Sequence, residues 1–161
     1  MIRDAAISLV MLLAATLAFY LVPVGDIQVD EEWILAIALL VGLAVVAATV
    51  AWQVRTYRRD IRSGAARLRG LLVAIYITVL YFALTYFVLT TAHPDQMDGL
   101  RTRTDALYFS FTVVSTVGFG DVHAAGQAGR VIVTLQMAFN WVFITLAIAA
   151  VRDAGPPSRR T

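Results

Sequence analysis

The groups most able to do chemistry in this sequence are backbone carbonyls rather than side chains. Residues 116–121 read Thr-Val-Gly-Phe-Gly-Asp, so Gly118 and Gly120 alternate with residues that carry side chains. A strand that turns successive carbonyls toward one axis must visit positive φ at every other residue, and glycine does so without steric cost. This run, called the glycine segment below, has the form of a carbonyl ladder able to coordinate a dehydrated cation.

The region around this segment, residues 104–151, resembles the tetrameric potassium channel superfamily. The family pattern runs pore helix, Thr-Val-Gly-Tyr-Gly-Asp, turn and inner helix, and residues 106–121 here read ALYFSFTVVSTVGFGD, with Phe119 replacing the commoner Tyr. The resemblance implies a selectivity filter in which four chains stack rings of oxygens around permeating K⁺. Its K⁺ ligands would come from Thr116, Val117, Gly118 and Phe119, with Gly120 completing the filter.

Composition indicates the elements that must position this segment. Hydrophobic residues make up 60% of the chain and its mean hydropathy is +0.76, far above the values of soluble domains. Crossing a bilayer takes about 20 apolar residues, and we predict spans at residues 5–24, 33–54, 71–92 and 131–151. Residues 105–115 are too short to span, so they are predicted to form a re-entrant helix. The predicted fold is an all-α membrane protein with four transmembrane helices, a re-entrant pore helix and a selectivity filter in a homotetrameric pore.

The placement of charge orients these spans. All thirteen basic residues are arginines, and ten of them lie in the N-terminus, the second connection and the C-terminus. Only Arg101, Arg103 and Arg130 fall on the other side, where eight of the eleven acidic residues lie. The positive-inside rule therefore predicts a multi-pass protein of the plasma membrane with both termini cytoplasmic and the filter opening to the outside. The net charge of +2 averages two opposite faces, and it does not indicate nucleic-acid binding.

One glycine segment per chain predicts the assembly and the domains. Since no second copy or internal repeat appears, the resemblance implies a homotetramer. Residues 1–69 would hold two helices and a basic cytoplasmic loop, residues 70–152 the pore module, and residues 153–161 a short cytoplasmic tail. The loop at 55–69 is expected to contact anionic lipid headgroups. Arginines at 55, 58, 59 and 62 imitate the spacing of a voltage sensor, but polar residues interleave them, so an interfacial segment is predicted.

Local sequence also predicts what supports the filter. Thr102 and Asp105 fit a helix capping box at the start of the pore helix. By position in the family pattern, the hydroxyl of Tyr108 would bond Asp121, the acid after the filter. Thr112 stands where the family often has an acidic residue, which predicts a different bracing network.

The inner helix departs most from the family pattern, because Asn140 occupies the position of the family's hinge glycine. Gln136 and Asn140 lie one turn apart, and two alternatives remain open: they face a water-filled cavity, or they bond across to a pore helix. By family position, Asn140, Trp141, Ile144 and Ile148 are predicted to line the inner pore, with an apolar constriction near Ile148.

Other functions stay in comparison. A nonselective monovalent cation channel would use the same scaffold, and a non-conducting accessory membrane subunit would share the fold. An enzyme is not predicted, because no catalytic or metal-binding cluster with suitable spacing occurs. No organic cofactor is expected, and K⁺ ions in the filter are the ligands. His123, just past the filter, is a candidate outer pH sensor, since histidine titrates near physiological pH.

Overall fold

A computed structural model describes residues 2–21, 44 and 64–152 of the chain. Its helices are α1 (Ile2–Leu21), α2 (Gly64–Ala92), α3 (Arg103–Val114) and α4 (Gln127–Arg152). A 3₁₀ turn (Pro94–Gln96) and strand β1 (Met97–Asp98) precede α3, and strand β2 (His123–Ala124) precedes α4. Apart from residue 44, the predicted span at 33–54 lies outside the described residues. So do residues 55–63 of the basic loop and the tail at 153–161.

Two stretches of the described chain are long and apolar enough to cross a membrane. They are Gly70–Ala92 in α2 and Gln127–Thr145 in α4. The first predicted span is helical as far as Leu21, and Leu12–Leu21 within it is an apolar helical stretch. The protein is thus mostly helical, and the count of four spans stays a prediction.

Both long helices begin earlier than the apolar pattern predicts. The structure starts α2 at Gly64 rather than at residue 71, and α4 at Gln127 rather than at residue 131. Hydropathy ends a span where charge begins, but residues 65–69 and 127–130 contain Ala, Leu, Gln and Arg, which are good helix formers. The helical backbone therefore continues through these more polar turns.

The core of the described chain lies where α2, α3 and α4 meet. Phe82, Tyr86, Phe109 and Ile132 are all buried there. The rings of Tyr86 and Phe109 meet edge to face with centroids 4.9 Å apart, a geometry that contributes about 0.5–1.5 kcal/mol beyond burial. At 12 residues α3 is about 18 Å long, too short to span a bilayer. Its buried face therefore rests on the two longer helices.

A small two-stranded antiparallel sheet accompanies the helices of the described chain and was not predicted. Met97 pairs with Ala124 and Asp98 pairs with His123. The strands flank α3 and the glycine segment, and two-residue strands carry no periodicity that a sequence could reveal. This pairing closes the loop that contains both.

The start of α4 is held by Gln96. Its backbone oxygen accepts from the amides of Ala125 at 3.0 Å and Gly126 at 3.1 Å. Its side-chain oxygen accepts from the amide of Ala128 at 2.9 Å, which is one of the donors that a helix start leaves without an intrahelical partner. A side chain at Gly126 or Gly129 would collide with Gln96. The segment before α3 is therefore bound tightly to the first turn of α4.

Candidate functional site

The helix that leads into the glycine segment begins with the predicted capping box. The amide of Asp105 donates to the Thr102 hydroxyl at 3.1 Å, and the amide of Thr102 donates to the Asp105 carboxylate at 2.7 Å. The amide of Arg101 also donates to this carboxylate, at 3.0 Å. Slight burial raises the pKa of Asp105, but these hydrogen bonds outweigh it and hold that pKa below its ordinary value. The carboxylate therefore stays ionised at the positive end of α3.

The glycine segment hangs from the other end of α3. The carbonyl of Thr112 accepts from the amides of Val117 at 3.0 Å and Gly118 at 3.3 Å. The carbonyl of Val113 accepts from the amide of Thr116 at 3.2 Å. Carbonyls that the helix end leaves without intrahelical donors are thus used to fix the start of the segment.

The backbone of the segment alternates in the sign of φ. Thr116, Gly118 and Gly120 have φ of 59°, 53° and 85°. Positive φ at every second residue is the conformation predicted from the two glycines. This alternation is what a strand needs to turn successive carbonyls toward one side.

The positive φ of Thr116 was not predicted, because positive φ was expected only at the two glycines. A β-branched residue in the left-handed region is a genuine outlier. Such a conformation costs on the order of 1–3 kcal/mol and persists only where the surroundings impose it. The strain lies at the first of the four residues predicted to supply K⁺ ligands.

The glycine segment is exposed in the single chain. Val117 is 53% exposed and Phe119 is 70% exposed. A side-chain carbon built at Gly118 or Gly120 meets nothing within 4 Å. One whole side of the segment is therefore uncovered by the described residues of its own chain.

The predicted bond beside the segment is present. The Tyr108 hydroxyl donates to the two carboxylate oxygens of Asp121 at 2.9 and 3.2 Å. The Tyr108 ring stacks on Phe119, with centroids 6.3 Å apart and planes 5° from parallel. Partial burial and the bond to Asp121 raise the pKa of the Tyr108 phenol above its ordinary value, so it remains a proton donor at neutral pH. One side chain of α3 thus contacts both Phe119 and Asp121 of the glycine segment.

Thr112 is buried behind the segment. Its hydroxyl donates to the carbonyl of Phe109 at 2.8 Å, within its own helix. Its contact with the segment is made by its backbone carbonyl instead. Thr112 therefore makes no side-chain hydrogen bond to Asp121 among the described contacts, and Asp121 is bonded by Tyr108 instead.

A buried network of hydrogen bonds, whose full set of partners was not predicted from the sequence, joins α2, α3 and α4. The Tyr86 hydroxyl donates to Gln136 at 2.6 Å, and Gln136 is 0% exposed. The Gln136 amide donates to the Ser110 carbonyl at 3.2 Å and hydroxyl at 3.1 Å. The Ser110 hydroxyl in turn donates to the carbonyl of Val79 at 2.9 Å. The available signal was a glutamine within an apolar span, but its partners stand 26 and 50 residues away.

Asn140 repeats this arrangement one turn further along α4. Its amide donates to the carbonyl of Val113 at 3.4 Å, and its side chain is buried. For both Gln136 and Asn140, the structure contains the interhelical bond rather than the cavity-facing alternative. Asn140 therefore does not share the exposure of the other residues predicted to line the inner pore.

The remaining predicted lining residues form one exposed apolar face of α4. Trp141 is 72% exposed, and Ile144 and Ile148 are also exposed. Exposed Met137 continues the same face at helical spacing. The single chain leaves this face open on the helix that follows the glycine segment.

His123 lies in β2 beyond the segment. Its Nε2 stands 4.0 Å from a carboxylate oxygen of Asp98 on the paired strand β1. Both side chains are more than half exposed. Any charge on His123 is therefore close to a carboxylate and to solvent.

Comparison with known proteins places this site in a family. The family model described as "Ion channel" matches residues 73–155, just over half of the chain. A voltage-gated potassium channel of Aeropyrum pernix (strain K1) is 33% identical over 80 residues, which are 50% of this chain and 26% of that relative. The chain thus spans about a quarter of the length of this relative. No solved structure matches the chain.

Proposed function

We infer that the chain conducts K⁺ passively and selectively. It belongs to the ion channel family and to the pore-loop potassium channel superfamily. The observation that carries the proposal is the alternating φ at Thr116, Gly118 and Gly120, on an exposed segment that follows a short helix. In the proposed filter, carbonyl oxygens from Thr116 to Phe119 replace the hydration shell of K⁺.

Four copies of the chain form the proposed pore. The open side of the glycine segment supports this assembly, because coordination from all directions requires oxygens from several chains around one axis. The C-terminal end of α3 carries partial negative charge, and four such ends lower the free energy of a cation within the bilayer. Family membership itself points to transport rather than to catalysis.

The proposed topology extends this pore module to the whole chain. Residues 70–152 form the module, two preceding helices lie within residues 1–69, and residues 153–161 form a cytoplasmic tail. Both termini face the cytoplasm of a plasma membrane, and the loop at 55–69 meets anionic lipid. The arginine distribution supports this orientation.

The exposed face of α4 is the proposed inner lining. Trp141, Ile144 and Ile148 face the ion path, and a constriction at Ile148 gates by dewetting. A polar substitution, Ile148→Ser, is expected to raise basal conductance several-fold, because water then enters the constriction. Single-channel recording in planar bilayers checks this, and an unchanged open probability rejects the gate.

Potassium flux through the purified full chain in liposomes tests the function. Reversal potentials in mixed K⁺ and Na⁺ are expected to follow the K⁺ gradient. A reversal potential near zero in symmetric total cation would instead favour a nonselective monovalent cation channel. Absence of flux from correctly assembled protein would favour a non-conducting accessory subunit.

A further inference from the structure

We propose that the first helix, α1, positions the pore-forming part of the molecule by holding the first turn of α3, with Arg103 as the attachment residue. The family match begins at residue 73, so α1 lies outside it. The inference rests on the proposed function in one respect: the segment at the far end of α3 is taken to be the filter.

Arg103 occupies the junction of three helices. Its guanidinium donates a hydrogen bond to the backbone carbonyl of Phe19 in the last turn of α1. The same guanidinium lies over the ring of Phe87 in α2, 4.9 Å from its centroid. The last four carbonyls of a helix have no intrahelical donors, and that end carries partial negative charge. A cation from α3 therefore satisfies the end of α1 while it is stacked on α2.

Two further hydrogen bonds join α1 to the same region. The hydroxyls of Tyr20 and Thr104 share a hydrogen bond of 3.1 Å, next to the arginine contact. The hydroxyls of Thr16 and Tyr76 share one of 2.8 Å, and the Tyr76 ring contacts Phe111 of α3 with centroids 6.2 Å apart. α1 thus contacts the first turn of α3 directly and its later turns through Tyr76.

Packing supports these polar contacts. Phe19 is 4% exposed and belongs to the same buried cluster as Phe109 and Val113 of α3. Attraction between helices in lipid depends on close packing and on interhelical hydrogen bonds, since lipid is as apolar as the side chains. Both are present at this contact, so the end of α1 is fixed to α3 rather than merely lying beside it.

The consequence for conduction follows from the length of α3. It is a rigid helix of 12 residues, and its last carbonyls hold the amides of Val117 and Gly118. A shift of its first turn is therefore transmitted over about 18 Å to the start of the glycine segment. Loss of the Arg103 contact loosens the filter while it leaves the packing of α2 on α4 in place. Arg103 is thus a positioning residue, since it acts through α3.

The first experiment compares Arg103→Gln with Arg101→Gln in the full chain, reconstituted in liposomes. Both variants remove one positive charge from the same end of α3, and Arg101 is exposed. We expect Arg103→Gln to speed the decay of the K⁺ current about tenfold, in line with removal of a charge-assisted hydrogen bond. Arg101→Gln is expected to behave as the wild type. Equal behaviour of the two variants would overturn the proposal.

A double-mutant cycle with Tyr20→Phe and Thr104→Val tests the contact without removing charge. Non-additive effects on the current decay are expected, because the two hydroxyls bond to each other. Additive effects, or a decay like that of the wild type in both single variants and the double variant, would count against the attachment. These milder variants, together with Arg103→Lys, keep the test decisive if Arg103→Gln fails to assemble.

Hydrogen–deuterium exchange separates this inference from the proposed function. Residues 103–121 are expected to exchange faster in Arg103→Gln than in Arg101→Gln, whether or not the protein conducts. If the wild type shows no K⁺ flux but Arg103→Gln still exchanges faster than Arg101→Gln, the proposed function is rejected and the positioning role is kept. If the wild type conducts K⁺ but the two variants exchange at equal rates, the positioning role alone is rejected.

Discussion

The body of α3 and the glycine segment that follows it differ in how far one chain satisfies them. Ser110 and Val113 on α3 bond to Gln136 and Asn140 of α4, and these side chains are buried. The glycine segment is exposed along one side and contains a β-branched residue in the left-handed region. A single chain thus builds the scaffold, whereas the exposed glycine segment is the part that the proposed tetramer would complete.

The largest effect is expected at the segment itself. Gly118→Ala places a side chain at φ +53°, where the added carbon has space but L-residues are disfavoured. We expect K⁺ flux in liposomes to be abolished while the helical scaffold assembles normally on size-exclusion chromatography. Wild-type flux from Gly118→Ala would mean that the segment does not depend on its left-handed glycine.

The next effect falls on the scaffold. Gln136→Leu keeps the volume but removes the partner of Tyr86 and Ser110, which costs about 1–3 kcal/mol where a buried donor is orphaned. A lower midpoint of thermal unfolding of the assembled protein is expected. Thr78→Val is the matched control, because the buried Thr78 hydroxyl bonds only to Ala74 of its own helix among the described contacts. If both variants unfold alike, the three-helix network does not stabilise the scaffold.

A smaller effect is expected where the two regions meet. Tyr108→Phe keeps the ring that stacks on Phe119 and removes the hydrogen bonds to Asp121. We expect conduction to persist but to decay about fivefold faster, since a partly exposed hydrogen bond contributes modestly. The time course of K⁺ current in planar bilayers measures this. An unaltered time course would show that the stacked ring alone braces the segment.

The smallest effect concerns pH at the exposed side. Protonation of His123 adds positive charge near the proposed pore mouth, but Asp98 stands 4.0 Å away and offsets part of it. We expect K⁺ conductance to fall about twofold between pH 8 and pH 5 and His123→Asn to remove this fall. Asp105 in the capping box does not explain this fall in conductance. Its pKa is lowered, so its carboxylate keeps its charge from pH 8 to 5 and loses the stabilising effect of that charge only at lower pH. A flat conductance from pH 8 to 5, or a fall that persists in His123→Asn, would reject the sensor.

Contacts between near neighbours in sequence were predictable. The capping box of Thr102 and Asp105 follows from residue types three positions apart, and the Tyr108–Asp121 bond follows from a family motif of 16 residues. The positive φ of Gly118 and Gly120 follows in the same way from their residue type. Each signal lies within a short window of the chain.

Contacts between distant segments were not predictable. Gln136 meets Tyr86 50 residues away, and Met97 pairs with Ala124 across the whole of α3. The sequence left two roles open for Asn140, and only the approach of α4 to α3 selects the interhelical bond. The positive φ of Thr116 is likewise imposed by its surroundings, since its residue type argues against it.

The grip of Gln96 on the first turn of α4 has a mechanical consequence. Three backbone amides at this end donate to Gln96, and a side chain at position 126 or 129 would collide with this residue. Under the proposed orientation this end of α4 is its extracellular end. We therefore expect any widening of the ion path to occur as a pivot of the α4 helices about their ends near Gln96. The largest displacement is then expected at their opposite, cytoplasmic ends.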